Sequence, residues 1–429
     1  MADKVTQSLP GFRDFTPRQC AIRNYLHECW RSVAHRYGFV EWEAPLVEST
    51  ELYMKKTGDE IGTQLFRFED QGGRDITLRP ELTASLARIV ADNQRDFPKP
   101  LKWFEIGPCF RYEKPQKGRG REFIQFNADI IGEASAAADA ELISMAIDTM
   151  LELGFEEGDF VVRASDRNSW LAFCEQHQIE DISGFLQIID KLERMKPEAV
   201  ADKLVPFGVD RQTVDEFIAN PDNASDDFKL VQANLAARGL AEFFELDLTI
   251  VRGLAYYTGV VFEIFDGKKS MRAVAGGGRY DKLLNILSDG SCDMPATGFA
   301  MGDMVIANFI EETAHAKMEM EKWIMNHPSC EVYVVVADEE KRPEALGAIS
   351  DLRRAGVQVD YPMVKLGVGK QFKKAQQSGA RFALVIGEEF PEMKLKILAA
   401  RSEETIHPNA DLAETIVSRL EQTDGPLIA

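Results

Sequence analysis

Cysteine and histidine are scarce in this chain, and neither is gathered. Six cysteines (Cys20, Cys29, Cys109, Cys174, Cys292, Cys330) are spread over 429 residues without a CxxC pair. That spacing argues against a disulfide framework or a cysteine–zinc site and fits reduced thiols in a reducing compartment. The six histidines are equally scattered, so no metal centre is expected. No apolar run approaches the roughly 20 residues of a membrane-spanning helix. The opening MADKVTQSLPGF lacks both the apolar core of a secretion signal and the Arg-rich character of a transit peptide. Basic residues are outnumbered too, 50 Lys plus Arg against 70 Asp plus Glu, for a net charge of −20. The expectation is a cytoplasmic protein without a membrane partner, and one that binds nucleic acid only where positive charge is concentrated locally.

What is present is an ordinary globular composition, 45% hydrophobic and 28% charged, long enough for two or three domains. Positive charge concentrates in two places, Lys114-Pro-Gln-Lys117-Gly-Arg119-Gly-Arg121 and Lys365 to Lys374. Each fits either a solvated loop or a phosphate-binding one.

Helical spacing of Ile22, Leu26, Cys29, Trp30, Val33 and Tyr37 predicts a long amphipathic helix over 17–37. Pro45 then marks an extended edge or interface segment. Short strands are expected at 65–68 and 75–79, around Gly72-Gly73, before a helix opened by Pro80-Glu81. Two apolar runs, 103–111 and 123–131, flank the first basic loop as a hairpin, and 136–153 reads as a helix. Residues 166–245 are short helical patterns. Strands are predicted at 248–252, 259–263 and 272–275, followed by Gly276-Gly277-Gly278 and a helix from Tyr280. After a Glu-, Lys- and Met-rich helix over 313–328, alternating strands and helices from Cys330 onward predict a compact α/β domain with a largely parallel sheet.

Four clusters could carry chemistry. Arg111 and Glu113 end one arm of the hairpin; Gln125 and Asp129, four residues apart on the returning strand, share a face. Arg111, Arg119 and Arg121 offer planar donors suited to phosphate. The alternative is cross-strand ion pairing. Arg252-Gly-Leu-Ala-Tyr256-Tyr257 puts a cation, a glycine and two tyrosines where backbone could approach a ligand; core aromatic packing would look the same. Gly276-Gly-Gly-Arg279-Tyr280-Asp281 permits flat approach of a base or ribose but does not fit a dinucleotide fingerprint. Glu81 and Thr83 could bind an amino group.

The order of these clusters resembles the class II aminoacyl-tRNA synthetases, and specifically the histidyl-tRNA synthetase family, over nearly the whole chain. The resemblance rests on Leu9-Pro-Gly-Phe-Arg13-Asp14, Thr77-Leu-Arg-Pro-Glu81, Phe110-Arg-Tyr-Glu113 with Pro115-Gln-Lys-Gly-Arg119, and the two histidine signatures beginning at Arg252 and Gly276. It implies an α+β catalytic domain with an antiparallel six-stranded sheet in two parts, 1–165 and 247–312. A helical insertion (166–246), a linker (313–329) and a C-terminal α/β anticodon-binding domain (330–429) complete it. It also implies a homodimer formed around Pro45, with histidine, tRNA(His) and ATP with Mg²⁺ as partners. By position, Arg111 would hold the ATP α-phosphate and the histidine carboxylate, Glu113 the adenine, and Arg119 the outer phosphates. Glu81, Thr83 and Gln125 would bind the α-amino group. Asp129 and Tyr257, with Tyr256 beside them, would line the imidazole pocket, and Arg252 would be the catalytic cation. Lys114 and Gln116 would lie near the tRNA acceptor end, and Lys370, Lys373 and Lys374 would contact tRNA elsewhere.

The family pattern is broken in three places. After Gly298-Phe-Ala-Met-Gly302 the usual ATP-binding Arg of motif 3 is Val305; Ala255 stands where many members have Asp; Lys114 replaces a frequent Arg. Arg119, Arg279 or a bound Mg²⁺ are the candidates to replace the missing cation. A sub-branch that includes plant organellar enzymes shares the Leu-Ala-Tyr-Tyr and Gly-Asp features, which favours a working enzyme. The rival is a paralogue that binds histidine and regulates ATP phosphoribosyltransferase, favoured by the lost Arg and opposed by the C-terminal domain. A third reading is an RNA-binding module carried by 330–429 alone, through the three lysines and Arg381.

Overall fold

A computed structural model describes residues 7–57, 59–192, 195–251, 256–268, 271–407 and 411–422. The chain divides into two compact units, Met1–Lys317 and Met318–Ala429.

The first unit is organised by strands β1 (Val40–Glu41), β2 (Val47–Ser49), β3 (Phe66–Glu69), β4 (Asp75–Leu78), β5 (Leu101–Phe110), β6 (Glu122–Ile131), β7 (Phe160–Asp166), β8 (Phe244–Leu246), β9 (Val260–Asp266), β10 (Ala275–Arg279) and β11 (Ala296–Gly302). Its main sheet runs β1-β5-β6-β11-β10-β9-β7-β8. This is eight strands, not the six expected. The six from β5 to β7 are mutually antiparallel, and a short parallel strand is added at each edge, β1 on β5 and β8 on β7. Two or three residues are too few to display an alternating pattern, so nothing in the sequence marks them.

One face of this sheet is apolar. Phe126 of β6 stacks on Trp30 at 5.6 Å and meets Phe104 and Phe299 edge-on. The covering helix, Pro17–Arg36, starts where Thr16 and Gln19 form a capping box with Pro17 in the first turn. Its buried stripe is Tyr25, Leu26, Cys29, Trp30, Val33 and Ala34. The period-two alternation of β6 therefore turns Gln125, Asn127 and Asp129 to the opposite face.

A small sheet, β2-β4-β3, is tied to the main one by a buried ion pair. Arg79 Nη1 lies 2.6 Å from Glu105 and also donates to Ala44 O, while its Nε donates to Pro108 O. Burial pushes the Glu105 carboxyl up to about 7 against the pull of Arg79. Among the described residues five α-helices, from Arg167–Gln176 to Asp226–Ala237, occupy the 166–246 region, four of them around a core that includes Trp170, Phe173, Phe185, Val200 and Val214.

Two further expectations are corrected. The strand predicted at 248–252 is a turn as far as residue 250, and the strand before it is β8. Asp247 accepts hydrogen bonds from Thr249 N and Oγ1, at 3.0 and 2.6 Å, which closes the chain on itself. The strand predicted at 272–275 is instead β10, Ala275–Arg279, so the glycine run expected to follow the strand lies within it, paired on both sides.

The second unit has strands β12 (Val332–Val336), β13 (Val359–Asp360), β14 (Phe382–Ile386), β15 (Met393–Ile397) and β16 (Ser402–Ile406) in the order β13-β12-β14-β15-β16. The sheet is half parallel rather than largely so: β12 runs parallel to β13 and β14, whereas β14–β15 and β15–β16 are antiparallel. Strand β16, Ser-Glu-Glu-Thr-Ile, is a polar edge and was not anticipated. Helix Val368–Gln377 is pinned by buried Gln371, whose amide exchanges 2.8 Å hydrogen bonds with Val336 N and O.

Candidate functional site

The polar face of β6 becomes a pocket because its neighbours are small. The β6–β11 register pairs Asp129 with Gly298, Asn127 with Ala300 and Gln125 with Gly302. A Cβ on Gly298 would fall 1.8 Å from Asp129 Oδ1, so the carboxylate exists in this position only beside glycine. Gly276 of β10 extends the same floor.

Asp129 is buried, and its Oδ1 accepts a 2.5 Å hydrogen bond from the Tyr280 hydroxyl. Its Oδ2 has no partner among the described residues. Burial pushes this carboxyl up to about 7, and burial together with the adjacent Asp129 pushes Tyr280 well above its ordinary value. Asn127 Nδ2 donates to Thr83 Oγ1 at 3.3 Å, and its Oδ1 is also unpartnered among the described residues. A buried acceptor without a donor is costly, commonly 1–3 kcal/mol, so two of them beside one cavity call for a polar ligand.

Glu81, Thr83, Arg111, Gln125, Asp129, Tyr256 and Tyr257 all line this cavity. Arg111 belongs to a second chamber as well, with Glu113, Arg119, Gly118, Met304 and Val305. Its Nε donates to Pro80 O at 3.0 Å, and the guanidinium lies 5.2 Å from the Phe123 ring centre. Arg119 and Glu113 form an ion pair at 2.6 Å. The two chambers thus meet at one cation, fixed by a main-chain carbonyl.

Other anticipated residues lie elsewhere. Lys114 and Gln116 are exposed on the loop between β5 and β6 and line neither chamber. Lys370, Lys373 and Lys374 occupy exposed positions of helix Val368–Gln377 in the second unit. Arg252, with Gly253 to Ala255, lies outside the described residues. Arg279 cannot replace the motif 3 cation. It is buried, 2.9 Å from Asp139 and 3.2 Å from Asp281, and donates to the carbonyls of Glu133 and Ser135.

Sequence reasoning missed three residues. Asn127 stands midway between Gln125 and Asp129, and the same alternation would have selected it. Tyr280 appears in the glycine signature but was given no role. Lys56 had no local signal: its ammonium reaches the Glu81 carboxylate, 2.5–2.6 Å away, and lies 4.4 Å from the Tyr256 ring centre. Among the described residues no group of three or more His, Cys, Asp or Glu is placed to hold a metal ion.

Comparison with known proteins gives two family matches, Histidyl-tRNA synthetase over residues 11–304 and Anticodon binding domain over 331–418. The chain is 40% identical to the Histidine--tRNA ligase of Opitutus terrae, over 92% of this chain and 95% of that protein. It is 34% identical to the chloroplastic/mitochondrial Histidine--tRNA ligase of Arabidopsis thaliana, over 91% of this chain and 82% of that one. A crystal structure of histidyl-tRNA synthetase from Nostoc sp. PCC 7120 superimposes with a TM-score of 0.78 at 26% identity, covering 97% of this chain and all of the other.

Proposed function

The chain belongs to the histidyl-tRNA synthetase family, and from that premise we propose that it ligates histidine to tRNA(His) at the expense of ATP. It is an enzyme of the aminoacyl-tRNA synthetase class, with an anticodon-binding domain at its C-terminal end. In the first step the histidine carboxylate attacks the α-phosphorus of ATP, giving histidyl-adenylate and pyrophosphate. The terminal ribose hydroxyl of the tRNA then takes the acyl group and releases AMP.

One observation carries the reading: the buried Oδ2 of Asp129, without a partner among the described residues, in a cavity that shares Arg111 with a second, cation-lined chamber. Asp129 Oδ2 accepts an imidazole N–H, with Tyr280 fixing the other oxygen and Tyr257 closing the pocket. An analogue without that N–H leaves the acceptor bare, the strongest form of discrimination open to such a site. Glu81, Thr83 and Gln125 take the α-amino group, with Lys56 holding Glu81 in place. Arg111 bridges the carboxylate and the α-phosphate, Glu113 receives the adenine, and Arg119 reaches the outer phosphates. Attack between two anions depends on positioning and positive charge more than on a general base. Arg252 is assigned the role of catalytic cation from its place in the family motif. Mg²⁺, carried on the nucleotide, supplies further charge neutralisation; the chain's own part is the arginine set.

Lys114, Gln116, Lys370, Lys373 and Lys374 are assigned to tRNA contact. Two copies are proposed to pair around Pro45, where Val40, Leu46 and Val47 are exposed. The paralogue reading, histidine binding without ligation, has less support, since the anticodon-binding match and the 40% relative both favour the ligase.

The test is exchange of labelled pyrophosphate into ATP. It should depend on histidine, and Arg252→Ala should lower kcat by orders of magnitude while sparing histidine affinity. Histidine binding without any exchange would overturn the reading.

A further inference from the structure

The motif 3 position of this chain is Val305, which lines the chamber of Arg111 and Arg119 yet brings no charge. A triphosphate extending past Arg119 needs a cation at its far end, because each unneutralised phosphate oxygen in a partly desolvated cleft is costly. Of the candidates the sequence offers, Arg279 is spent on Asp139 and Asp281. Lys117, which lies closer along the loop, is paired with Glu312 at 2.9 Å.

A further cavity adjoins the nucleotide chamber. It shares Val305 and Gly118 with it and is otherwise walled by Lys117, Asn308, Glu312, Met271 and Arg272. At the shared wall a Cβ on Gly118 (φ +76°) would lie 3.5 Å from Val305 Cγ2 and 3.8 Å from Asn308 Nδ2. Arg272 sits between two fixed points of the chain. Met271 N donates to buried Asp266 at 2.8 Å, and Val274 N donates to Ile264 O at 2.8 Å, where the chain joins the sheet before β10. Arg272 is exposed, and among the described residues it forms no ion pair.

We propose that Arg272 supplies the cation that position 305 lacks, binding the terminal phosphate of ATP and then the departing pyrophosphate from the β9–β10 side of the cleft. The guanidinium has moved from one strand's exit to a neighbouring strand's entry, while the cleft it serves is the same. This rests on the ligase reading for the nature of the substrate, but not for the geometry: Arg272 and Val305 line one cavity whatever the second substrate is. Arg119 keeps its reach to the outer phosphates from the side of the β5–β6 loop.

The experiment compares ATP and AMP affinities by calorimetry, with pyrophosphate-exchange kinetics alongside, in the wild-type protein, Arg272→Ala, and Arg272→Ala combined with Val305→Arg. Arg272→Ala should weaken ATP binding roughly tenfold or more, the size of one charge-assisted contact. AMP affinity and the histidine KM should be unchanged. Val305→Arg should recover ATP affinity in the Arg272→Ala background, because it restores a guanidinium to the same cavity from the opposite wall. The assignment is overturned by an Arg272→Ala protein with unaltered ATP affinity, by equal losses for ATP and AMP, or by a loss that Val305→Arg leaves untouched. A wild-type protein silent in histidine-dependent exchange, yet losing ATP affinity selectively on Arg272→Ala, would overturn the ligase reading and leave Arg272 in its role.

Discussion

The two units follow the packing rules to different degrees. Nearly every buried polar side chain of the described residues belongs to the first unit; in the second, Gln371 stands alone, and its amide is fully engaged. The first unit buries Asp129 and Asn127 with oxygens that have no partner among the described residues, and it stations glycine against a carboxylate. The second buries Val332, Val334, Val336, Leu384 and Leu395 in an ordinary apolar core and keeps Lys370, Lys373 and Lys374 exposed. The cavity of the first unit is where buried carboxylate and amide oxygens lack donors among the described residues, whereas the second unit presents exposed lysines. Under the proposed function, this is the division expected between a site that must desolvate a small ligand and a surface that meets a polyanion.

That contrast can be broken by experiment, beginning with the largest effect. Gly298→Ala should abolish histidine-dependent exchange while circular dichroism stays near wild type, since the added methyl cannot coexist with Asp129; retained activity would mean that Asp129 does not bind the substrate. Arg79→Ala, which strands buried Glu105, should cost about 3–5 kcal/mol, read as a lowered unfolding midpoint of the first unit. Asp129→Asn keeps the shape but presents an amide where an acceptor is needed. It should raise the histidine KM about 10- to 100-fold, the cost of an unmet buried group, with a much smaller change in kcat. Gln371→Ala should loosen the second unit by about 1–3 kcal/mol and leave pyrophosphate exchange intact, because exchange needs no tRNA. Smallest of all, Lys373→Ala with Lys374→Ala should weaken tRNA binding severalfold, more at low salt than at high, again with exchange untouched.

Much of this is legible in the sequence. The long N-terminal helix, the β5–β6 hairpin and the helical character of 166–245 follow from periodicity, and motif order points to the family. What escaped was of two kinds. Strands β1 and β8 are too short to show alternation, and β16 is too polar to resemble a strand; β7 and β11 went unassigned as well, β11 because Ala-Thr-Gly-Phe-Ala-Met-Gly is too rich in small residues to show a strand pattern. Asn127 and Lys56 fail for opposite reasons. Asn127 was within reach, on the face already chosen for Gln125 and Asp129; Lys56 acquires meaning only when a helix 25 residues upstream in the chain is folded over Glu81. Side chains whose partners are tertiary leave no local trace.

Arg111, common to both chambers, has a thermodynamic consequence. If amino acid and nucleotide each lean on that one guanidinium, neither occupies its place independently, and each becomes an effector of the other. Linkage then fixes the magnitude in both directions: whatever factor ATP imposes on histidine affinity, histidine must return to ATP.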